Sequence, residues 1–136
     1  VTVLLVCGSV EWQWWDPIWK ALRRFPPGTV LRHGDARGAD KMAGSVGGRL
    51  GFVVQPRPAD WEVKSDTPKA AVRRGRGGRL YNVRAGYERN ARMLDEDPIP
   101  TLVIAFQLNG SGGTQNTIDG ARVRGIPVEV YEKWTA

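Results

Sequence analysis

Residues 102–114, Leu102-Val103-Ile104-Ala105-Phe106-Gln107-Leu108-Asn109-Gly110-Ser111-Gly112-Gly113-Thr114, decide the reading of the fold. Leu102 to Phe106 is a continuous apolar run, the pattern of a central strand buried on both faces. Asn109 to Thr114 reads as a glycine-rich turn, and a helix through Ile118 and Ala121 follows and stops at Gly125. Pro127 to Tyr131 reads as a last strand.

The same strand–turn–helix order recurs toward the N-terminus. Val1 to Val6 is an apolar strand running into Cys7-Gly8-Ser9, and Asp16-Pro17 opens a helix with Asp at the N-cap and Pro at the first helical position. Ile18, Trp19, Leu22 and Phe25 give that helix one apolar face. Thr29 to His33 is a second strand, Gly34 to Asp40 a turn, and Ala39, Met42, Ala43, Val46 and Leu50 a second helical stripe. Gly44, Gly47 and Gly48 inside it point to close backbone packing against the sheet. Phe52 to Gln55 is a third strand, and Tyr87, Ala91 and Leu94 mark a helix that ends by Asp97-Pro98. The order β-α-β-α-β-loop-α-β-α-β predicts an α/β, Rossmann-like three-layer sandwich: a mostly parallel sheet of about five strands with helices on both faces. The expected organisation is one domain over 1–136 with an irregular Arg/Gly-rich loop at about 57–82.

Ligands of such sheets bind at the carboxyl ends of the strands, so three turns matter: Gly8-Ser9, Gly34 to Asp40, and Gly110-Ser111-Gly112-Gly113-Thr114. Glycine lets the backbone approach a phosphate, and the next helix offers free N–H groups and the positive end of its dipole. Neither the P-loop Gly-Lys-Ser/Thr nor G-x-G-x-x-G is present, so a standard ATPase or dinucleotide dehydrogenase is not expected.

His33-Gly34-Asp35-Ala36-Arg37-Gly38-Ala39-Asp40 resembles the HGGARGAD signature of the YspA-like branch of the SLOG superfamily. Further segments are similar to that branch in the same order: Cys7-Gly8-Ser9 with Trp12, Ala59-Asp60-Trp61, Gly86-Tyr87-Glu88-Arg89-Asn90 with Met93, and Ala105-Phe106 with Gly112-Gly113-Thr114 and Ala121. The resemblance spans nearly the whole chain. It implies a Rossmann-like fold related to the lysine-decarboxylase-like phosphoribohydrolases and to DprA, with nucleotides, NAD- or ADP-ribose-derived molecules or single-stranded DNA as ligands. It implies no single activity. Val10 stands where relatives carry Arg, Asp35 where they carry Gly, and one extra residue lies between Phe106 and Gly113. Thr117 occupies the position of the phosphoribohydrolases' catalytic glutamate and cannot serve as a general base.

The expected ligand- or phosphate-binding residues are Gly8, Ser9, Gly34, Arg37, Gly38, Asp40, Arg89, Asn90, Gly110, Ser111, Gly112, Gly113 and Thr114. Arg37 is expected to pair with a phosphate. Asp40 either accepts from a ribose hydroxyl or caps its helix; Ser111 and Thr114 supply hydroxyls at a helix start. Catalytic residues are not assigned; Asp35, Asp60 and Glu88 are the carboxylates to test, and Cys7 with His33 is a conceivable thiolate–imidazole pair. Trp12, Trp14 and Trp15 are candidates either to stack on a base or to meet a second subunit, which leaves a homo-oligomer open.

Lys and Arg number 20 against 14 Asp and Glu, a net charge of +6, which favours anionic partners. Part of the excess is Arg73, Arg74, Arg76 and Arg79, a stretch that either tracks a nucleic-acid backbone or is a solvated loop closing over an anion. One cysteine and one histidine exclude a disulfide framework and leave a Cys/His zinc site short of ligands. A magnesium ion arriving with a phosphorylated ligand is the one cofactor left open. No apolar run approaches the ~20 residues of a membrane span, and Val1–Val6 lacks the flanks of a signal peptide, so a cytoplasmic protein without membrane contact is expected. The leading expectation is a binding module for a nucleotide or nucleotide-derived ligand, acting as sensor, carrier or sequestering protein. The alternatives are a nucleotide or N-glycosidic hydrolase, and a DprA-like single-strand binder.

Overall fold

The computed structural model describes residues 1–135. Five strands form one parallel sheet: β1 (Val3–Gly8), β2 (Val30–His33), β3 (Val53–Pro56), β6 (Leu102–Leu108) and β7 (Val128–Lys133), in the order β3-β2-β1-β6-β7. This is the α/β Rossmann-like sandwich that the alternating pattern predicts. The central strands β1 and β6 are buried along nearly their whole length, which is why they read as continuous apolar runs. The edge strands β3 and β7 carry the mixed sequences Val53-Val54-Gln55-Pro56 and Val128-Glu129-Val130-Tyr131-Glu132-Lys133, whose charges and proline discourage further pairing.

Helices α1 (Trp15–Leu22) and α2 (Ala39–Arg49) cover one face, with Leu4, Val6, Ile18, Leu22, Leu31, Val46 and Phe106 in their core. Helices α3 (Ala85–Asp95) and α4 (Gly112–Val123) cover the other, over Leu5, Cys7, Met93, Leu94, Val103 and Ile118. Within α2, Gly44 and Gly47 do lie against the sheet: a Cβ on Gly44 would stand 2.7 Å from His33 Nε2, and one on Gly47 would stand 3.2 Å from Leu31. Gly48 faces open space and has no such role.

Three local expectations change. Helix α1 begins at Trp15, so Asp16 is not its N-cap but sits in the first turn, paired with Lys20 at 3.4 Å. Pro17 is tolerated there because first-turn N–H groups have no helical acceptor. Gly112 and Gly113 belong to α4 rather than to the turn before it, and left-handed Asn109 and Gly110 make the bend. The stretch at 57–82 is not wholly irregular: after a 3₁₀ turn at Lys69–Ala71, β4 (Val72–Arg74) and β5 (Leu80–Asn82) form an antiparallel hairpin. Their three-residue length and arginine content hide them from a search for apolar alternation.

One buried charge holds the α3 layer to the sheet. Arg32 on β2 is fully buried; it donates to the carbonyls of Met93, Glu96 and Pro98 at 2.9, 3.2 and 3.1 Å and to Gln55 Oε1 at 3.2 Å. Glu96 lies 3.5 Å away as counter-charge. The guanidinium thus serves as the C-terminal cap of α3, satisfying carbonyls that the helix itself leaves open. Arg32→Met keeps the volume and strands those carbonyls, so it is expected to lower unfolding free energy by about 3–5 kcal/mol. A urea titration followed by circular dichroism reads this directly, and a loss under ~1 kcal/mol would show that the cap contributes little.

Candidate functional site

Strand order reverses direction between β1 and β6: the chain runs outward through β2 and β3, then returns to add β6 and β7 on the other side. Side by side, the carboxyl ends of two such strands leave a crevice. Here the crevice is a cavity of about 440 Å³, floored by Cys7, Gly8 and Ser9 at the end of β1 and by Ser111, Gly113 and Thr114 at the start of α4. Asp40 from α2 and Arg89, Asn90 and Met93 from α3 form its sides, and Trp61, Tyr81, Val83 and Tyr87 form the outer wall.

Ser9 organises the floor. Its N–H donates to Phe106 O at 2.9 Å, and its hydroxyl accepts from Leu108 N at 2.8 Å while donating to Ser111 Oγ at 2.8 Å. Ser111 Oγ in turn donates to Thr114 Oγ1 at 2.8 Å. The Ser111 hydroxyl makes no capping bond to α4, whose first intrahelical bond runs from Gln115 N to Ser111 O at 3.0 Å. The amides of Gly112, Gly113 and Thr114 are therefore the unsatisfied first turn of a helix, with the positive end of its dipole. No atom lies within 4 Å of where a Cβ would stand on Gly112 or Gly113, and Gly113 lines the cavity.

Asp40 is the opposite pole. Its Oδ2 accepts from Ala36 N at 3.3 Å, but its buried Oδ1 has no hydrogen-bond partner among the described residues. Burial, partly offset by that hydrogen bond and by the charge of Arg89, pushes its carboxyl up to about 6. Arg89 donates through Nη1 to the carbonyl oxygens of Gly34 and Arg57 and through Nε to Asn90 Oδ1 at 3.0 Å, while its Nη2 makes no hydrogen bond among the described residues. The Asn90 amide donates to Asn116 Oδ1 at 3.1 Å and so ties α3 to α4.

Of the residues expected from sequence, the cavity gathers Gly8, Ser9, Asp40, Arg89, Asn90, Ser111, Gly113 and Thr114. Gly34, Gly38, Gly110 and Gly112 do not line it. Gly34 leaves room for Arg89 and Asp40, since a Cβ there would stand 2.5 Å from Arg89 Cζ and 2.8 Å from Asp40 Oδ2, and Gly38 packs its positive-φ backbone on the carbonyls of Ser9 and Val10. Arg37, expected on a phosphate, lies off the wall; its exposed side chain pairs with Glu11 at 2.9 Å. Val6, not Cys7, is the register partner of His33, so Cys7 and His33 project to opposite faces of the sheet and cannot pair. Burial and the nearby Asp40 charge push the Cys7 thiol far up, which leaves it unreactive.

The aromatic wall is the part that sequence reading missed. Trp12 is core, edge-on to Trp14 at 5.2 Å, while Trp14 and Trp15 lie under the cations of Lys133 and Arg49. At the cavity stand Trp61 and Tyr87 instead, 49% and 52% exposed, where packing does not explain them. Trp61 rests on Gly86 at the start of α3 and meets Tyr81 edge-on at 6.3 Å. The signal that could have found Trp61 was its place in the Ala59-Asp60-Trp61 segment. A larger groove of about 660 Å³ lies between α1 and β7, but its cations are engaged: Lys20 with Asp16, Arg24 with Glu129, Lys133 over Trp14. In the hairpin, Arg73 and Arg74 donate to its own backbone carbonyls or those beside it. Among the described residues no three His, Cys, Asp or Glu side chains gather as a metal site, and no helix is long and apolar enough to cross a membrane.

Comparison with known proteins adds a relative. The Gene 61 protein of Mycobacterium phage D29 is 34% identical over 134 residues, covering 92% of this chain and 92% of that protein. No protein-family model matches the chain. Among solved structures, the C-terminal domain (residues 78–226) of a hydrogenase from Pyrococcus furiosus superposes over 95% of this chain and 90% of its own, with 15% identity and a TM-score of 0.44, a likeness from which nothing about ligand or reaction follows.

The raised Asp40 carboxyl has a measurable consequence. Its folded pKa lies above the ordinary 3.8, so the fold is favoured when the group is protonated and loses stability as pH rises from about 4 to about 6. Asp40→Asn is therefore expected to stabilise the protein by about 1–3 kcal/mol at neutral pH and to gain nothing near pH ~4. Thermal melts of both proteins across that range check it; a variant less stable at neutral pH would show that the ionised carboxylate supports the fold.

Proposed function

We propose that this chain, which belongs to the family of the Gene 61 protein of Mycobacterium phage D29, is a SLOG-type module that binds a nucleotide or nucleotide-derived molecule. The observation that carries the reading is the composition of the switch-point cavity: open first-turn amides of α4 on its floor and the aromatic surface of Trp61, Tyr81 and Tyr87 as its outer wall. A helix start of this kind favours a phosphate, and exposed indole and phenol rings offer a base a stacking surface. A volume of about 440 Å³ falls within the range of small-molecule sites, and the net charge of +6 draws anions toward it.

Binding rather than hydrolysis is the favoured activity because Thr117, a buried hydroxyl on the same wall, stands where the phosphoribohydrolases carry their glutamate. Asp40 is the sole carboxylate lining the cavity among the described residues. A divalent cation would thus have to arrive with the ligand's phosphates.

Calorimetric titration with the four ribonucleoside 5′-monophosphates is expected to give saturable binding of at least one, little weakened by added salt. Trp61→Ala should lose about tenfold or more in affinity, the usual contribution of a base stacked on an aromatic ring. Gly113→Ala should fold at least as stably, since alanine suits a helix better by up to ~1 kcal/mol, yet bind more weakly because its methyl enters the cavity. No saturable mononucleotide binding, with oligonucleotides retained and released by salt, would overturn the reading in favour of nucleic acid.

A further inference from the structure

The cavity presents two polar features of opposite sign. On the α4 side stand donors, the open amides of Gly113 and Thr114; on the α2 side stands Asp40, whose Oδ1 is buried and accepts no hydrogen bond among the described residues. Buried polar atoms of native proteins are almost always paired, and an exception calls for a missing partner. The protein's nearest cation does not supply one: the bonds Arg89 makes run to Gly34 O, Arg57 O and Asn90 Oδ1, and none to Asp40. A carboxylate repels a phosphate, so the partner that fits Oδ1 is a neutral donor on a ligand whose anion lies at the other side.

We propose that Asp40 reads the sugar: its free oxygen accepts a hydrogen bond from a ribose hydroxyl, so the site takes ribonucleotides and discriminates against their deoxy counterparts. This rests on the nucleotide reading of the same cavity. It fixes the ligand's direction, with phosphate at α4, sugar hydroxyl at Asp40 and base toward Trp61. The charged and titratable groups facing Asp40 are Arg89 of α3, Asp35 of the turn before α2 and Cys7 at the end of β1. Lys41 pairs with Asp35 at 3.6 Å, and His33 Nδ1 accepts from Asp35 N at 2.9 Å. Cys7, its thiol held protonated, changes no charge as pH falls from neutral to the Asp40 range, and burial makes His33 take up its proton at lower pH than a free imidazole. The ionised carboxylate is the stronger acceptor, so discrimination weakens when Asp40 is protonated.

The test is calorimetric titration of the full chain with each ribonucleoside 5′-monophosphate and its 2′,3′-dideoxy counterpart. The expected result is at least a tenfold preference for the ribonucleotide at about pH 7.5, shrinking at about pH 5 and abolished or sharply reduced in Asp40→Asn. Equal affinity for the two sugars in the native protein overturns the assignment of Asp40 while leaving the nucleotide reading intact. A preference that persists unchanged in a folded Asp40→Asn protein also overturns it. Failure of every mononucleotide to bind defeats both.

Discussion

Everything at the carboxyl edge of the sheet hangs on Ser9. This residue closes β1, and its backbone and hydroxyl reach four other parts of the chain: Phe106 and Leu108 of β6, Trp12 on the way into α1, Ala39 at the start of α2, and Ser111 at the start of α4. Gly8 before it has no room for a side chain, since a Cβ would stand 2.4 Å from Ala39 Cβ and 2.6 Å from Phe106 O. That crowding brings the first turns of α2 and α4 to either side of one strand end. The crevice between them follows from the connectivity of the sheet; its polarity follows from the uncapped first turn of α4 on one side and Asp40 on the other.

Two buried charges illustrate different uses of desolvation. Arg32 is fully buried, yet every direction of its guanidinium ends on an acceptor, and the result is a fixed α3. Because α3 carries Arg89 and Asn90, a residue remote from the cavity holds its side wall in register. Asp40 is satisfied on one oxygen and open on the other. An incompletely paired buried carboxylate destabilises the folded state, and such features cluster where a ligand completes them.

The sheet was legible because parallel strands leave a strong trace: β1 and, up to Phe106, β6 are continuous apolar runs, and the strand–glycine–helix order repeats. The turns Gly8-Ser9 and Ser111–Thr114, and Asp40, Arg89 and Asn90, could be assigned to one edge by topology alone. Which of them face the cavity could not. Gly34 and Gly38 look like phosphate glycines but serve close packing, and Arg37 lies exposed beside Glu11. Trp61 and Tyr81 of the aromatic wall lie in the Pro-, Gly- and Arg-rich stretch, where no periodicity reports position, while Tyr87 lies on α3. Trp61 and Tyr81 become neighbours only through long-range bonds such as Asn82 N to Trp61 O at 2.8 Å.

Occupation of the cavity between β1, α2, α3 and α4 by a nucleotide is read most directly by an amide chemical-shift titration of the isotope-labelled protein with ribonucleoside 5′-monophosphates. The predicted result is saturable shifts concentrated at the amides of Gly8, Ser9, Gly112, Gly113 and Thr114 and at the indole N–H of Trp61, with the groove of Trp14 and Tyr131 unaffected. Shifts confined to that groove or to the Arg73–Arg79 hairpin, or none at all, would contradict it.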